Sequence, residues 1–249
     1  MRYEESICEG RNPVIEAFRS GRSIDKVFVL EGCHDGPIQT VIREANKAGT
    51  IINFVKKERL DSMSETGKHQ GVIAYIAAYN YAELQDIFDI AEKKGEAPFV
   101  IILDGIEDPH NLGAIIRTAN LAGAHGVIIP KHGASGLTAT VAKASAGALN
   151  YTPVVKVTNI SKTIQELKEK GMWFVCAAAD GETMYRLNLT GSIGLVVGNE
   201  GKGVSRLVKE SCDFIAAIPM KGDIDSLNAS VATGVLAYEI VRQRLGSAK

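Results

Sequence analysis

Three segments beyond residue 100 hold residue types able to do chemistry. The first is Leu103-Asp104-Gly105-Ile106-Glu107-Asp108-Pro109-His110-Asn111, with Arg117 about two helical turns further on. An arginine just past the end of a buried strand can hold a phosphate or an oxyanion with its planar fork. A helix capped by Asn111 with a solvated Arg117 explains the same residues. The second is Val197-Gly198-Asn199-Glu200-Gly201-Lys202-Gly203-Val204-Ser205. Glycines after a strand let a ligand approach the backbone closely. Their spacing fits neither dinucleotide nor P-loop glycine patterns, and Glu200 repels a pyrophosphate. A neutral or cationic ligand suits the segment better; a plain turn capped by Ser205 is the alternative. The third runs from Ile218-Pro219-Met220 to Ser226-Leu227-Asn228. Ser226 or Asn228 can cap the helix that follows. The small residues Ala229, Ser230, Ala232 and Gly234 allow that helix to pack closely.

Each segment follows an apolar run, and the runs define the frame. Phe99 to Leu103 and Gly126 to Ile129 are continuous apolar stretches, as strands buried on both faces should be. Trp173 to Ala177, Ile193 to Val197 and Ile215 to Ile218 read as further strands. Helical spacing covers Asn111 to Gly123, Ser161 to Lys170 and Leu227 to Leu245. This predicts a mostly parallel α/β sheet with ligands at the strand ends. Upstream, a smaller α/β unit is expected. Asn12-Pro13 opens a helix with Asn12 as its cap, and Gly21 ends it. Lys26 to Leu30, Ile51 to Val55 and Val72 to Ala77 read as strands, and Asp35 to Ala48 as a helix stopped by Gly49. The alternation implies a mostly parallel sheet here too. The expected division is residues 1–78, a polar connection over 79–97, and a second domain over 98–249.

Composition narrows the setting. The 249 residues suffice for one large or two modest domains. No apolar stretch reaches the roughly 18 to 20 residues needed to span a bilayer. The charged start, Met1-Arg2-Tyr3-Glu4-Glu5, is not that of a secretory signal. Cys8, Cys33, Cys176 and Cys212 are scattered without CxxC spacing or nearby histidines, so thiols are expected, with no metal site. A cytoplasmic protein is expected. The net charge of −1 leans away from nucleic acid, unless one face is locally basic.

Taken together, the three segments resemble the SPOUT superfamily, in its SpoU/TrmH branch of RNA ribose 2′-O-methyltransferases. Asn111 and Arg117 match the first motif, Gly198-Asn199-Glu200-Gly201 the second, and Ile218-Pro219-Met220 through Ser226-Leu227-Asn228 the third. The stretches Asp108 to Ala114 and Ser226 to Gly234 look most like the branch members that methylate a guanosine in the P-site loop of 23S ribosomal RNA. Gly10-Arg11-Asn12-Pro13-Val14 is similar to the start of the branch's ribosomal-protein-like RNA-binding domain.

The resemblance implies a second domain with a deep C-terminal trefoil knot, an exception to the rule against threading. It implies a homodimer and S-adenosylmethionine as cofactor, with no metal and no membrane. Catalytic positions carried over are Arg117, Asn111, Glu200, Ser226 and Asn228. Cofactor positions are Val197, Gly198, Glu200, Gly201, Ile218, Met220, Ser226, Leu227 and Asn228. Arg11 and Asn12 are candidates for RNA contact, although capping and solvation explain them equally well. A guanidinium resists deprotonation. Arg117 therefore suits positioning of a phosphate and stabilisation of an alkoxide, with Glu200 and Asn111 orienting it or Glu200 relaying the proton. Three alternatives stand beside this reading: a transfer RNA methyltransferase of the same branch, a non-catalytic RNA-binding factor, and a nicotinamide oxidoreductase. The glycines sit in the wrong place and order for the last.

Overall fold

Apolar runs alternating with amphipathic helices build two separate layered units. In the computed structural model, which describes residues 6–224 and 226–247, one unit holds the chain up to Asn80 together with Gly136–Ala142. The other holds Tyr81–Ser135 and the chain from Lys143 onward. The charged N-terminal pentapeptide lies outside the described residues.

The first unit runs β1 (Ser6–Glu9), α1 (Arg11–Arg19), β2 (Ile24–Leu30), α2 (Gly36–Ala48), β3 (Ile51–Val55), α3 (Lys57–Met63) and β4 (Val72–Ile76). Its sheet order is β1-β4-β2-β3. Only β2 and β3 are parallel; β4 is antiparallel to both β1 and β2, so the expectation of a mostly parallel sheet is corrected here. The reversal occurs at Gln70 and Gly71, whose φ values of 51° and 82° turn the chain back. The cap of α1 is Gly10 and not Asn12, and no side chain bonds there. In α2 the expected ends hold. The Asp35 carboxylate accepts from the Ile38 N–H at 3.2 Å, and Gly49 closes the helix in the left-handed region.

The second unit contains α4 (Leu84–Lys94), β5 (Phe99–Asp104), α5 (Pro109–Leu121), β6 (Gly126–Pro130), β7 (Val154–Val157), α7 (Ile160–Glu169), β8 (Trp173–Thr183), β9 (Ile193–Gly198), α8 (Arg206–Glu210), β10 (Phe214–Ala217) and α9 (Ala229–Ser247). The short α6 (Ala139–Ala144) precedes β7. Six parallel strands lie in the order β10-β8-β9-β5-β6-β7. Ile101, Ile102, Leu103, Val127, Ile128, Leu195 and Val196 are fully buried, which is why these strands read as unbroken apolar runs. Within the span expected as a connection, α4 buries Ile87 and Ala91; Ile87 joins the core of this unit. The chain leaves β10 at one sheet edge, yet α9 packs on α5 and β9 near the middle. Among the described residues no helix is long and apolar enough to cross a membrane.

Polar contacts tie the sheet's lower end to α9. Arg244 donates to the carbonyls of Ala97 and Pro98, each at 3.1 Å, and to that of Gly191. Beside it, the His125 Nδ1 accepts from the Phe99 N–H at 2.9 Å while Nε2 lies 3.0 Å from Glu96. Burial pushes the pKa of His125 below its ordinary value, and the Glu96 hydrogen bond only partly offsets this. The unfolded chain therefore takes up this proton first as pH falls. Stability should drop as pH descends through about 6.5, the unfolded value, towards the folded one. Urea unfolding at about pH 7.5 and about pH 5.5 checks this. Wild type should lose more stability between the two than His125→Gln, and equal losses would contradict it.

Candidate active site

At the C-terminal ends of β9 and β10, beside the middle of β8, a cleft opens within the second unit. Its walls include Ala177, Ala178 and Ala179, Val197 to Glu200, Gly203, Ala216, Ile218, Met220, Ser226, Leu227, Ala229, Ala232 and Leu236. The alanines come from a local irregularity. Cys176 opposes Ile215, but the next pair is Glu182 with Ala216, so residues 177–181 leave the ladder and bow into the cleft wall.

Asn199 builds the loop that follows β9. Its N–H donates to the Asp104 carbonyl at 3.1 Å, and its side-chain amide to the Gly105 carbonyl at 3.1 Å. Its Oδ1 accepts from the Gly201 N–H at 2.8 Å and from the Lys202 N–H at 3.4 Å. Its carbonyl accepts from the Gly203 N–H at 2.7 Å. The Asp104 carboxylate accepts from the Ser205 N–H at 2.7 Å, fixing the far end of the loop. Thus Ser205 begins α8 without a side-chain cap bond. The loop folds so tightly that a Cβ on Gly198 would collide with the backbone of Gly203 and Val204.

Three candidate residues meet at the rim. The Asn111 amide donates to Glu200 Oε1. The Asn228 amide donates to Asn111 Oδ1 at 3.0 Å and reaches Glu200 Oε1 at 3.4 Å. Asn228 also caps α9, its Oδ1 accepting from the Ser230 N–H at 2.9 Å and the Ser230 hydroxyl at 2.6 Å. Both readings of Asn228 therefore describe one side chain with two ends. Asn111 does not cap α5. That cap is Asp108, which accepts from the His110 N–H at 2.9 Å, and Pro109 takes the first helical position. With capping done elsewhere, the Asn111 side chain is free to reach Glu200.

Arg117 is exposed on α5 and makes no hydrogen bond or ion pair among the described residues. Glu200 and Asn111 bond to each other and to Asn228, so they do not orient Arg117 within this chain. Val197, Gly198, Ile218, Met220, Ser226 and Leu227 line the cleft, whereas Gly201 and Asn228 stand outside its lining. Arg11 lies in the first unit, where it is bound up in structure. It pairs with Asp35 at 2.7 Å and donates to the Gln70 carbonyl at 3.0 Å. Asn12 is exposed on α1. Among the described residues there is no group of three or more His, Cys, Asp or Glu placed to hold a metal ion. All four cysteines are free thiols.

The sequence reading did not assign Ala177–Ala179 to the site, and named Asn199 within its motif without giving it a role. A run of alanines directly after a buried strand was the available signal for the first. For Asn199 the signal was an Asx residue between glycines, a pattern that commonly folds onto its own backbone. The close approach at Gly198 is testable. Gly198→Ala should cost about 1–3 kcal/mol through overpacking. Gly201→Ala, whose Cβ meets only Asn199 Oδ1 at 3.4 Å, should be nearly neutral. Urea unfolding of both variants checks this, and equal stability would contradict the tight loop.

Known proteins are similar to this chain in sequence and fold. Residues 98–238 match the family model described as the SpoU rRNA Methylase family. Residues 7–82 match the model described as RNA 2′-O ribose methyltransferase substrate binding. The chain is 52% identical over 246 residues to YacO of Bacillus subtilis, which is named as a TrmH family tRNA/rRNA methyltransferase; the match covers 98% of each. Among solved structures it is similar to the SpoU methyltransferase AviRb of Streptomyces viridochromogenes, crystallised with the cofactor AdoMet. The TM-score is 0.62 at 24% identity, covering 97% of this chain and 91% of that one. The AdoMet-bound rRNA methyltransferase of Sinorhizobium meliloti gives 0.59 at 24% identity, covering 95% and 86%. With a substrate-binding region, a methylase region and a full-length relative at 52% identity, this chain belongs to the SpoU/TrmH family of RNA methyltransferases.

Proposed function

We propose that the chain transfers a methyl group from S-adenosylmethionine to the ribose 2′-hydroxyl of a guanosine in 23S ribosomal RNA, as a cytoplasmic homodimer. The observation that carries this reading is the Asn111–Glu200–Asn228 cluster at the rim of an otherwise alanine-rich cleft. The cleft fits the cofactor chemically. Small apolar walls suit an adenine ring, the tight backbone turn at Gly198 brings main-chain groups close, and a carboxylate at the mouth favours a sulfonium. Val197, Gly198, Ile218, Met220, Ser226 and Leu227 are the residues that hold it, with Gly201 and Asn228 shaping the loops around them. When bound, S-adenosylmethionine supplies a methyl carbon already activated for displacement. The protein's task is to orient the hydroxyl and manage its proton.

Glu200 is built for the proton. Two amides hold Oε1, and Oε2 has no partner among the described residues. A hydroxyl brought to that oxygen can pass its proton directly or through one water. Arg117, exposed and uncommitted, is available to hold the target phosphate with two parallel hydrogen bonds and to stabilise the developing alkoxide.

A second copy gives Arg117 its setting. On α9, Val231, Tyr238 and Leu245 recur at seven-residue spacing and are 50%, 51% and 71% exposed. Leu121 of the packed neighbour α5 is also exposed. A stripe of this kind beside a buried opposite face fits a partner helix pair. The transfer RNA reading uses every one of these residues equally, and the name of the Bacillus relative spans both RNAs.

A transfer assay with methyl-labelled cofactor separates these readings. Label should enter 23S fragments as 2′-O-methylguanosine. Label in unmodified transfer RNA alone favours the other substrate, and cofactor binding without transfer to any RNA favours a non-catalytic factor. Arg117→Lys should lower kcat by about a hundredfold, within the range for loss of a positioned oxyanion donor; near-normal turnover contradicts the bidentate role. Tyr238→Glu should convert a dimer to a monomer in sedimentation, and an unchanged mass contradicts the α9 interface.

A further inference from the structure

The sheet of the first unit has two faces with different characters. Val27 and Val29 of β2 point into the core with residues of α1 and α2. Strand alternation turns Lys26 and Phe28 to the opposite face. In register, Tyr75 of β4 stands across from Lys26, and Asn53 of β3 across from Phe28. The Phe28 and Tyr75 rings meet edge to face, with centroids 5.8 Å apart and planes at 67°. Lys26 Nζ lies 5.4 Å from the Tyr75 ring centre and 6.0 Å from that of Phe28. Lys26 is exposed, and both rings are half-buried.

A second observation concerns charge. The exposed run Lys56-Lys57-Glu58-Arg59 begins one residue past the end of β3. Three cations and one anion therefore stand at the end of the strand that carries Asn53. Aromatic rings on a sheet face with flanking cations are suited to unpaired nucleic acid. Bases stack on the rings, and the lysines and arginine neutralise the backbone. A double helix hides its bases and gains nothing from the rings. The unit's match to a substrate-binding family model points to RNA as the occupant.

We propose that Lys26, Phe28 and Tyr75 form a stacking platform for unpaired bases of the RNA substrate, with Lys56, Lys57 and Arg59 receiving the phosphates of the same strand. This rests on the RNA-modifying reading above. It also moves the RNA contact of this unit away from Arg11, which is held by Asp35 and Gln70.

The test uses the full chain and fluorescence anisotropy with an unstructured RNA oligonucleotide, compared with a blunt duplex of the same sequence. Wild type should prefer the single strand. Phe28→Leu and Tyr75→Leu keep apolar bulk but remove the π faces. Each should weaken single-strand binding by about tenfold, in line with the loss of one stacked base. S-adenosylmethionine affinity should stay unchanged, and the lost ring pair should lower the unfolding midpoint only slightly, leaving the protein folded. Lys26→Glu, on an exposed side chain, should weaken binding without disturbing the fold. Crosslinks from a 4-thiouridine-substituted strand should map to the β2 and β4 peptides. Equal binding by the variants, a preference for duplex, or crosslinks confined to other peptides would overturn the platform. Methylation preserved in variants that bind normally defeats the platform alone. Single-strand binding that depends on Phe28 and Tyr75, without methylation of any RNA, supports the platform and defeats the enzymatic reading alone.

Discussion

The site depends on one asparagine. Asn199 sits where β9 ends and bonds in both directions. It reaches back to the Asp104 and Gly105 carbonyls at the end of β5, and forward to Gly201, Lys202 and Gly203. These bonds join two parallel strand ends and close the loop that carries Glu200. A buried or half-buried backbone group left without a partner costs about 1–3 kcal/mol, so the loop has few alternative conformations. Gly198 is the matching steric condition, because only a residue without a Cβ lets the loop fold back so closely. The cleft wall and the position of the Glu200 carboxylate both follow from this one fold of the chain.

Several polar residues here serve structure and site together. Asn228 caps α9 with its oxygen and holds Asn111 and Glu200 with its nitrogen. Asp104 ends a core strand and anchors the loop at Ser205. Helix α9 has a similar double role. It packs on α5 and β9 on one side and leaves Val231, Tyr238 and Leu245 open on another. That explains why apolar residues of this helix fall on more than one side instead of forming a single stripe.

Much of this was legible because burial leaves a clear trace in sequence. Strands β5, β6 and β9 are covered on both faces, so they read as unbroken apolar runs. Helix α2 announced its ends through Asp35 and Gly49. Strand β1 is only four residues long and gave no pattern. The β4 reversal depends on Gln70 in a left-handed conformation, which composition does not reveal. The caps were misplaced for a related reason. At α5, Pro109 occupies the first helical position, and the rule that proline starts a helix points to Asp108 as the cap. At α1 the proline sits later, so the same rule misleads and Gly10 holds the cap position. In the site, charged and amide residues drew attention, while Ala177–Ala179 offered only their small size as a signal. The meeting of Asn111, Glu200 and Asn228 joins positions far apart in sequence, and only the fold brings them together.

The most direct measurement is the calorimetric affinity of Asn199→Ala for S-adenosylmethionine, set beside that of wild type. If Asn199 holds the cleft in shape, affinity should fall at least about tenfold, equal to roughly 1.4 kcal/mol, while the protein remains folded by circular dichroism. Unchanged affinity in the folded variant would contradict the account.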